Sequence, residues 1–371
     1  MTRTNTPNTR EGNAVGAEAS QQTRPSALLT RIAALAGAPD DVPHLPSWYR
    51  PVVAIPASIC TSQYGRWRVE GVESAIARTL GDVSADAYVF PCRPIKRQES
   101  PFDAVWQVVR RADAVIIPGG LSDILPGEWA RHPPPQMGTA EWDWWWEDWW
   151  RWHVTQVAIL LCVPLLGIDQ GAGYMNVVLG GTLHEDIRSE VKSYGQHLKG
   201  NFDSNSWVFT ALEVLAPESR IASCANGESH IWGACMHRQA VKDLARDLVL
   251  TARAMDKCPE VFERSDAFFG IGLQNHPEQS DVYETQQYPR NLLAMLSEAA
   301  LLYASSQAGR YGTGLDALRE EIWNHLRSSE SPRLLQGLGG ASSPQQAEES
   351  LNASAADRTD GEQSTGAIHP L

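Results

Sequence analysis

From Pro51 to Leu179, short runs of β-branched and aliphatic residues alternate with longer stretches of helical period. Val52–Ile55, Ala87–Phe90 and Ala114–Pro118 read as strands, and the stretches near Val69–Leu80 and Phe102–Ala112 read as helices between them. That alternation predicts βαβαβ, and with it a parallel sheet built by right-handed crossovers. A long helical stretch from about Ala140 to Leu161 follows. Next comes Pro164-Leu-Leu-Gly-Ile168, whose unbroken apolar character marks a strand covered on both faces, and then a helix from Gln170 to about Leu179. Farther on, Trp207–Leu212, His230–Ala234 and Phe268–Leu273 add strands, while Arg290–Ser306 and Leu315–Arg327 read as helices. No internal repeat is visible.

The pattern fades at both ends. Residues 1–47 are rich in Thr, Asn, Ser and Gln and are expected to be a disordered or linker extension, with one short amphipathic stretch at Ala27–Leu35. Residues 48–329 form the expected folded domain. Residues 330–371, with six acids and two Arg, are expected to be a disordered acidic tail. The whole chain of 371 residues carries 31 Lys and Arg against 44 Asp and Glu, a formal charge of −13. No basic cluster stands against that background, which argues against nucleic acid as a partner. No apolar run approaches the roughly 18–20 residues of a spanning helix, and the first residues lack the apolar core of a secretory signal. The expected setting is therefore the cytoplasm, without membrane contact. The six cysteines form no CxxC pair and sit in hydrophobic or mixed stretches, so reduced thiols are expected.

Ligands of open α/β sheets bind beyond the carboxyl ends of the strands, and three segments there carry chemistry. Ile117-Pro-Gly119-Gly120 offers adjacent glycines whose N–H groups are free to face an oxyanion. Gly167-Ile-Asp169-Gln170-Gly171 places one side chain in a strand-to-helix turn with small residues on both sides, as a sharp elbow requires. Gln274-Asn-His276-Pro-Glu278 ends the last strand with a base and an acid two residues apart.

These segments resemble the class I glutamine amidotransferase-like superfamily, in its γ-glutamyl hydrolase branch (peptidase C26, γ-glutamyl-γ-aminobutyrate hydrolase type). The resemblance rests on Pro118-Gly-Gly with Asp123-Ile-x-Pro126, Val163-Pro-Leu-Leu-Gly-Ile168, Met175–Asp186, His237-Arg-Gln-Ala-Val-Lys242 and Gly272–Glu278, in the family's order over about 52–280. It implies a flavodoxin-like α/β fold, a mostly parallel sheet with helices on both faces. It also implies a Cys-His-Glu triad that cleaves γ-glutamyl amides through a thioester. His276 would be the base and Glu278 its orienter. Gly119, Gly120 and Gln170 would supply the oxyanion hole, and His237 would line the pocket. Neither a cofactor nor a metal is expected. The partner would be a small molecule such as a γ-glutamyl or other amino acid conjugate.

The departure is at the elbow, where the family's Gly-Ile-Cys-Arg-Gly reads Gly167-Ile168-Asp169-Gln170-Gly171. Thioester chemistry at position 169 is then excluded, since the sulfur is missing. A helix N-terminus would favour the Asp169 anion, which in turn would tend to protonate His276 into an ion pair. Three readings stay open. The site works as Asp-His-Glu on an ester, an activated acyl group or a saturated carbon. Alternatively the enzyme is degenerate and binds a metabolite or a partner without turnover. In the third reading Asp169, His276 and Glu278 together hold a divalent metal. Cys235 reads as a small residue closing a strand and His184 as a surface or loop group.

Glu141–Trp152 holds seven Trp in twelve residues. On a helix Trp142, Trp145, Trp146, Trp149 and Trp152 share one side, leaving Trp144 and Trp150 elsewhere. So much indole suggests a contact with a second copy or a partner enzyme, or a roof over the pocket.

Overall fold

The computed structural model describes residues 45–308 apart from 62–67, 73, 93–100, 121–122, 125–138, 192, 194–196, 198–206, 266, 268 and 280–284. The expectations for Ala27–Leu35, for the Leu315–Arg327 helix and for residues 330–371 lie outside these residues, as does nearly all of 1–47.

In chain order the first half contains β1 (Val52–Pro56), β2 (Ser58–Thr61), β3 (Arg68–Gly71), α1 (Ser74–Asp82), β4 (Asp86–Phe90), α2 (Pro101–Val109), β5 (Ala114–Ile117), α3 (Ala140–Leu160), β6 (Leu165–Ile168) and α4 (Gln170–Val178). The second half contains β7 (Leu183–His184), α5 (Ile187–Glu190), β8 (Val208–Val214), α6 (Arg220–Cys224), β9 (His230–Cys235), β10 (Ala240–Val241), β11 (Leu248–Ala254), β12 (Pro259–Arg264), β13 (Gly270–Leu273) and α7 (Tyr288–Ala308).

Among the described residues the main sheet has nine strands in the order β4-β1-β5-β6-β13-β12-β11-β8-β9. Its first five strands pair in parallel. Numbered along the chain they run 2-1-3-4-5, the doubly wound order of flavodoxin-like sheets, and an antiparallel extension continues from β13. Alternate residues feed two cores on opposite faces. Ala54, Val115, Ile117 and Leu165 pack with α2, α3 and α4, whereas Val53, Ile55, Ala114, Ile116, Leu166 and Ile168 pack with α1 and α7. No helix of the described residues is long and apolar enough to cross a membrane.

Two stretches differ from the pattern reading. Arg68–Gly71, at the start of the predicted helix, is instead a strand that pairs with β2 in a hairpin, and the helix begins at Ser74. β11 and β12 were not foreseen; β12 buries Glu260, Glu263 and Arg264 among its apolar residues and so lacks an apolar signature. Glu263 is used structurally: its carboxylate accepts the N–H groups of Arg220 and Ile221 at 3.1 and 3.0 Å, at the start of α6.

Helix α3 begins on Thr139, whose hydroxyl accepts the Trp142 N–H at 3.2 Å. Its indoles form a ladder. Trp142 stacks on Trp146 at 5.6 Å, Trp146 on Trp149 at 5.1 Å, and Trp149 on His153 at 4.0 Å. Trp150, expected off the buried side, is fully buried and packs against Phe90 at 6.1 Å. The helix lies so deep between the sheet edge and α2 that its apolar surface extends beyond one stripe. Trp144 is the indole of this segment left about half exposed, at 49%. Trp150→Ala is expected to cost about 3–5 kcal/mol in urea unfolding, whereas Trp144→Ala should stay within about 0.5 kcal/mol of wild type. Equal losses would contradict this placement of the helix.

Candidate active site

Asp169 directly follows β6 and occupies the N-cap position of α4, with φ 49° and ψ −108°. A non-glycine residue held in that region stores about 1–3 kcal/mol, which surrounding packing must impose. Here α4 presses on the strands: a Cβ on Gly171 would overlap the Ile117 carbonyl oxygen, and one on Gly167 would fall 2.5 Å from the Gly171 carbonyl oxygen. Larger residues at either position would force the elbow open. The Asp169 N–H donates to Leu273 O at 2.6 Å, pinning the elbow to the end of β13.

The chain leaving β13 supplies the partners. The His276 N–H donates to Ala234 O at 2.8 Å, and its Nδ1 lies 2.8 Å from Glu278 Oε1. That contact directs Nε2 toward Asp169 Oδ2, 3.7 Å away. Gln274 Nε2 donates to Asp169 Oδ1 at 3.0 Å. The Trp207 indole covers the His276 ring with centroids 4.6 Å apart. Asp169 and Glu278 thus address opposite nitrogens of one imidazole, so these three side chains do not converge on a single ion. The metal reading of the triad is not supported by its geometry.

Burial pushes the Asp169 carboxyl above its ordinary value. The charges of His276 and His237 and the Gln170 backbone N–H oppose the rise, and Glu278 adds to it. The helix-terminus argument expected the reverse, a stabilised anion. Desolvation outweighs the helix terminus here because the carboxyl is enclosed.

Gly119 and Gly120 follow β5. A Cβ on Gly119 would stand 3.0 Å from His276 Cε1 and 3.2 Å from Asp169 Oδ2, so the loop runs directly against the pair. Behind it lies Arg151, fully buried on α3. Its guanidinium donates to Gln170 Oε1, to Ser58 Oγ at 2.6 Å and to Gly119 O at 3.3 Å, and pairs with Glu147 at 2.6 Å. Burial opposes its charge, but the neighbouring Glu147 carboxylate keeps its pKa above the ordinary value.

In front of Asp169 is a cavity of about 220 Å³ whose lining includes Gly120, Gln170, His237, Arg238 and Gln274. Gln239 clamps the far wall by accepting the Ile124 N–H at 2.8 Å and donating to Ile124 O at 3.1 Å. Arg238 pairs with Asp123 on the same wall. His184, in β7, is half-buried and bonds Glu190 at 3.0 Å. Cys235 is buried at the end of β9, with its thiol pushed well above its ordinary range by burial first and by Glu260 second, so it offers no thiolate to the cavity.

Sequence reasoning brought Asp169, His276 and Glu278 to one place but missed Gln274, Trp207 and Arg151. The Glu147/Arg151 spacing of four on a helix was the one available signal for Arg151.

With this geometry established, comparison with known proteins identifies the lineage. Residues 51–278 match the model of peptidase C26, and the chain belongs to that family. A Mycobacterium tuberculosis protein whose name places it among the glutamine amidotransferases is 28% identical over 234 residues, covering 62% of this chain and 70% of that one. The γ-glutamyl-γ-aminobutyrate hydrolase of Escherichia coli K12 is 23% identical over 176 residues, covering 46% of this chain and 66% of that one. The solved glutaminase domain of a Trypanosoma brucei CTP synthase superposes with a TM-score of 0.44 at 14% identity, over 67% of this chain and 93% of that one.

The raised Asp169 pKa sets a pH dependence. Folded protein keeps a proton on this carboxyl at pH values where the unfolded chain, near 3.8, has released it. Its contribution to stability is therefore fully present below the unfolded value and is lost as pH rises through the higher folded value. Asp169→Asn is expected to be more stable than wild type at neutral pH, with the gap closing under acid. Urea midpoints of both proteins across a pH series would reveal this; a gap independent of pH would show that the carboxyl titrates normally.

Proposed function

We propose that this protein is a hydrolase or transferase acting on a γ-glutamyl or related acyl conjugate in specialised metabolism, with Asp169, His276 and Glu278 as its working groups. The observation that carries the reading is the strained elbow, which aims the Asp169 carboxyl at a histidine oriented by its own acid, beside a small cavity of mixed polar and apolar lining. A cavity of about 220 Å³ is below the roughly 300–1,000 Å³ of drug-sized sites and suits a group the size of an amino acid. Arg238 on its wall would meet a substrate carboxylate.

Asp169 stands where the family resemblance expects a thiol, so the chemistry has to differ. Attack by one Asp169 oxygen on an acyl carbon forms a C–O bond and expels the leaving group, giving a mixed anhydride. The N–H groups near Gly120 and Gln170 would hold the oxyanion, and His276 would then take a proton from the water that reopens the anhydride. An alkoxide or thiolate leaves more readily than an amine in such a step, so esters and thioesters of the acyl group are favoured over amides. A partner enzyme or second copy would meet the 142–152 segment through Trp144.

The competing reading is a binding protein without turnover. It is favoured by the enclosure of Asp169, which holds the carboxyl toward its neutral, non-nucleophilic form. A mass-spectrometric turnover assay on glutamine, γ-glutamyl amides, thioesters and simple esters, run with wild type, Asp169→Ala and Asp169→Cys, separates the two. Turnover by wild type that falls at least about 100-fold in Asp169→Ala is expected. Silence from wild type with activity gained by Asp169→Cys would establish a pocket whose chemistry is switched off.

A further inference from the structure

Behind the His237 wall of the cavity lies a second constellation. His197, His237, Cys258 and Glu260 each offer one ligand atom, with all four atoms within 4.8 Å of one another, and all four residues are buried. The chain brings them together simply. Cys258 and Glu260 are two residues apart at the start of β12, a spacing that puts both side chains on one face. His237 arrives from the end of β9, and His197 from the segment before β8.

We propose that these four side chains form a structural zinc site. Three features carry the assignment. First, Glu260 Oε1 lies 3.3 Å from His197 Nδ1 and 3.4 Å from His237 Nε2. Nitrogen and oxygen ligands about 2.0–2.1 Å from a tetrahedral zinc are separated by about 3.3–3.4 Å along the tetrahedron's edge. Second, His237 Nε2 and Glu260 Oε1 are buried and face one another as an ion pair without good hydrogen-bond geometry, a contact that a cation between them would satisfy more fully. Third, each imidazole is oriented through its other nitrogen. His237 Nδ1 lies 3.0 Å from Gln239 O, and His197 Nε2 lies 3.1 Å from an oxygen of Asp256. A carbonyl and a carboxylate in these positions fix the tautomer that turns a bare nitrogen toward a metal. Asp256 is held in turn, its Oδ1 accepting the Cys258 N–H at 3.1 Å.

The ligand set selects the ion. Two imidazoles, a thiolate and a carboxylate suit zinc better than calcium or magnesium, which take oxygen ligands. The thiolate and carboxylate cancel the double charge, so a closed neutral unit replaces a buried acid facing two imidazoles. All four positions are protein ligands, which makes the role structural rather than catalytic. The ion would tie β12 to the 236–239 wall. That wall carries Arg238 and the Gln239 clamp, so the metal would fix the shape of the cavity without touching substrate.

The test uses full-length protein and does not depend on activity. Metal-stripped wild type is loaded with zinc, freed of excess by gel filtration and analysed by inductively coupled plasma mass spectrometry; one retained equivalent per chain is expected. Cobalt(II) loading of the same protein should give the intense visible bands of a tetrahedral site and a thiolate-to-cobalt charge-transfer band. Cys258→Ser should lose that last band, and His237→Ala combined with Cys258→Ser should lose the retained equivalent. Wild type that retains no zinc overturns the proposal. Retention by the double variant, or a cobalt spectrum without a thiolate band, places the ion elsewhere and also overturns it. Cys258→Ser changes a single atom, so loss of its charge-transfer band locates the ion even where the double variant fails to fold.

Discussion

One buried guanidinium holds the site's separate parts in register. Arg151 reaches from α3 to the hairpin strand β2 through Ser58, to the glycine loop after β5 through Gly119 O, and to the first residue of α4 through Gln170. Its charge is matched by Glu147 one turn earlier, and Glu147 uses its other oxygen to accept the Ile59 N–H at 2.9 Å. A charge taken out of water is costly unless paired and hydrogen-bonded, so losing any one of these partners would leave the guanidinium poorly satisfied. The neighbouring Asp148 extends the arrangement by accepting the Tyr174 hydroxyl, joining α3 to α4 a second time. The indoles of the same helix extend its buried apolar flank on the surrounding core.

Much of the architecture was legible because burial on both faces leaves a plain mark. β1, β5 and β6 read as strands from unbroken aliphatic runs, and the elbow was visible from small residues around a single functional side chain. Of the strands that escaped notice, β12 is the one that buries charge. Glu260, Glu263 and Arg264 make β12 look like surface, although each is nearly inaccessible. Periodicity reports solvent contact only where polarity and exposure agree, and the antiparallel extension is where they part. The proximity of Asp169, His276 and Glu278 was expected from their motifs. The direction of the Asp169 shift was not, since desolvation depends on how the fold encloses the carboxyl, which a linear motif does not reveal.

The fold therefore hosts two buried polar groups of different kinds. At the elbow, backbone strain and desolvation hold one carboxyl away from its relaxed state, as groups poised for chemistry often are. Behind the cavity wall, Glu260 is held among nitrogen and sulfur ligands that a cation would neutralise together. Gln274 connects the two, donating its side chain to Asp169 and its backbone N–H to Glu260 O at 2.8 Å.

The parallel pairing of β6 with β13 joins Leu165–Ile168 to Gly270–Leu273 across about a hundred residues of intervening chain. Asp169 ends one of these strands and His276 follows the other. During synthesis the elbow leaves the ribosome long before its base exists, and the pair comes together only after the whole antiparallel extension has been made and the last central strand inserts. Such distant pairing is slow to form. The candidate site is thus a late product of folding, and a chain stalled or cut before residue 270 carries the Asp169 carboxyl without the histidine that faces it.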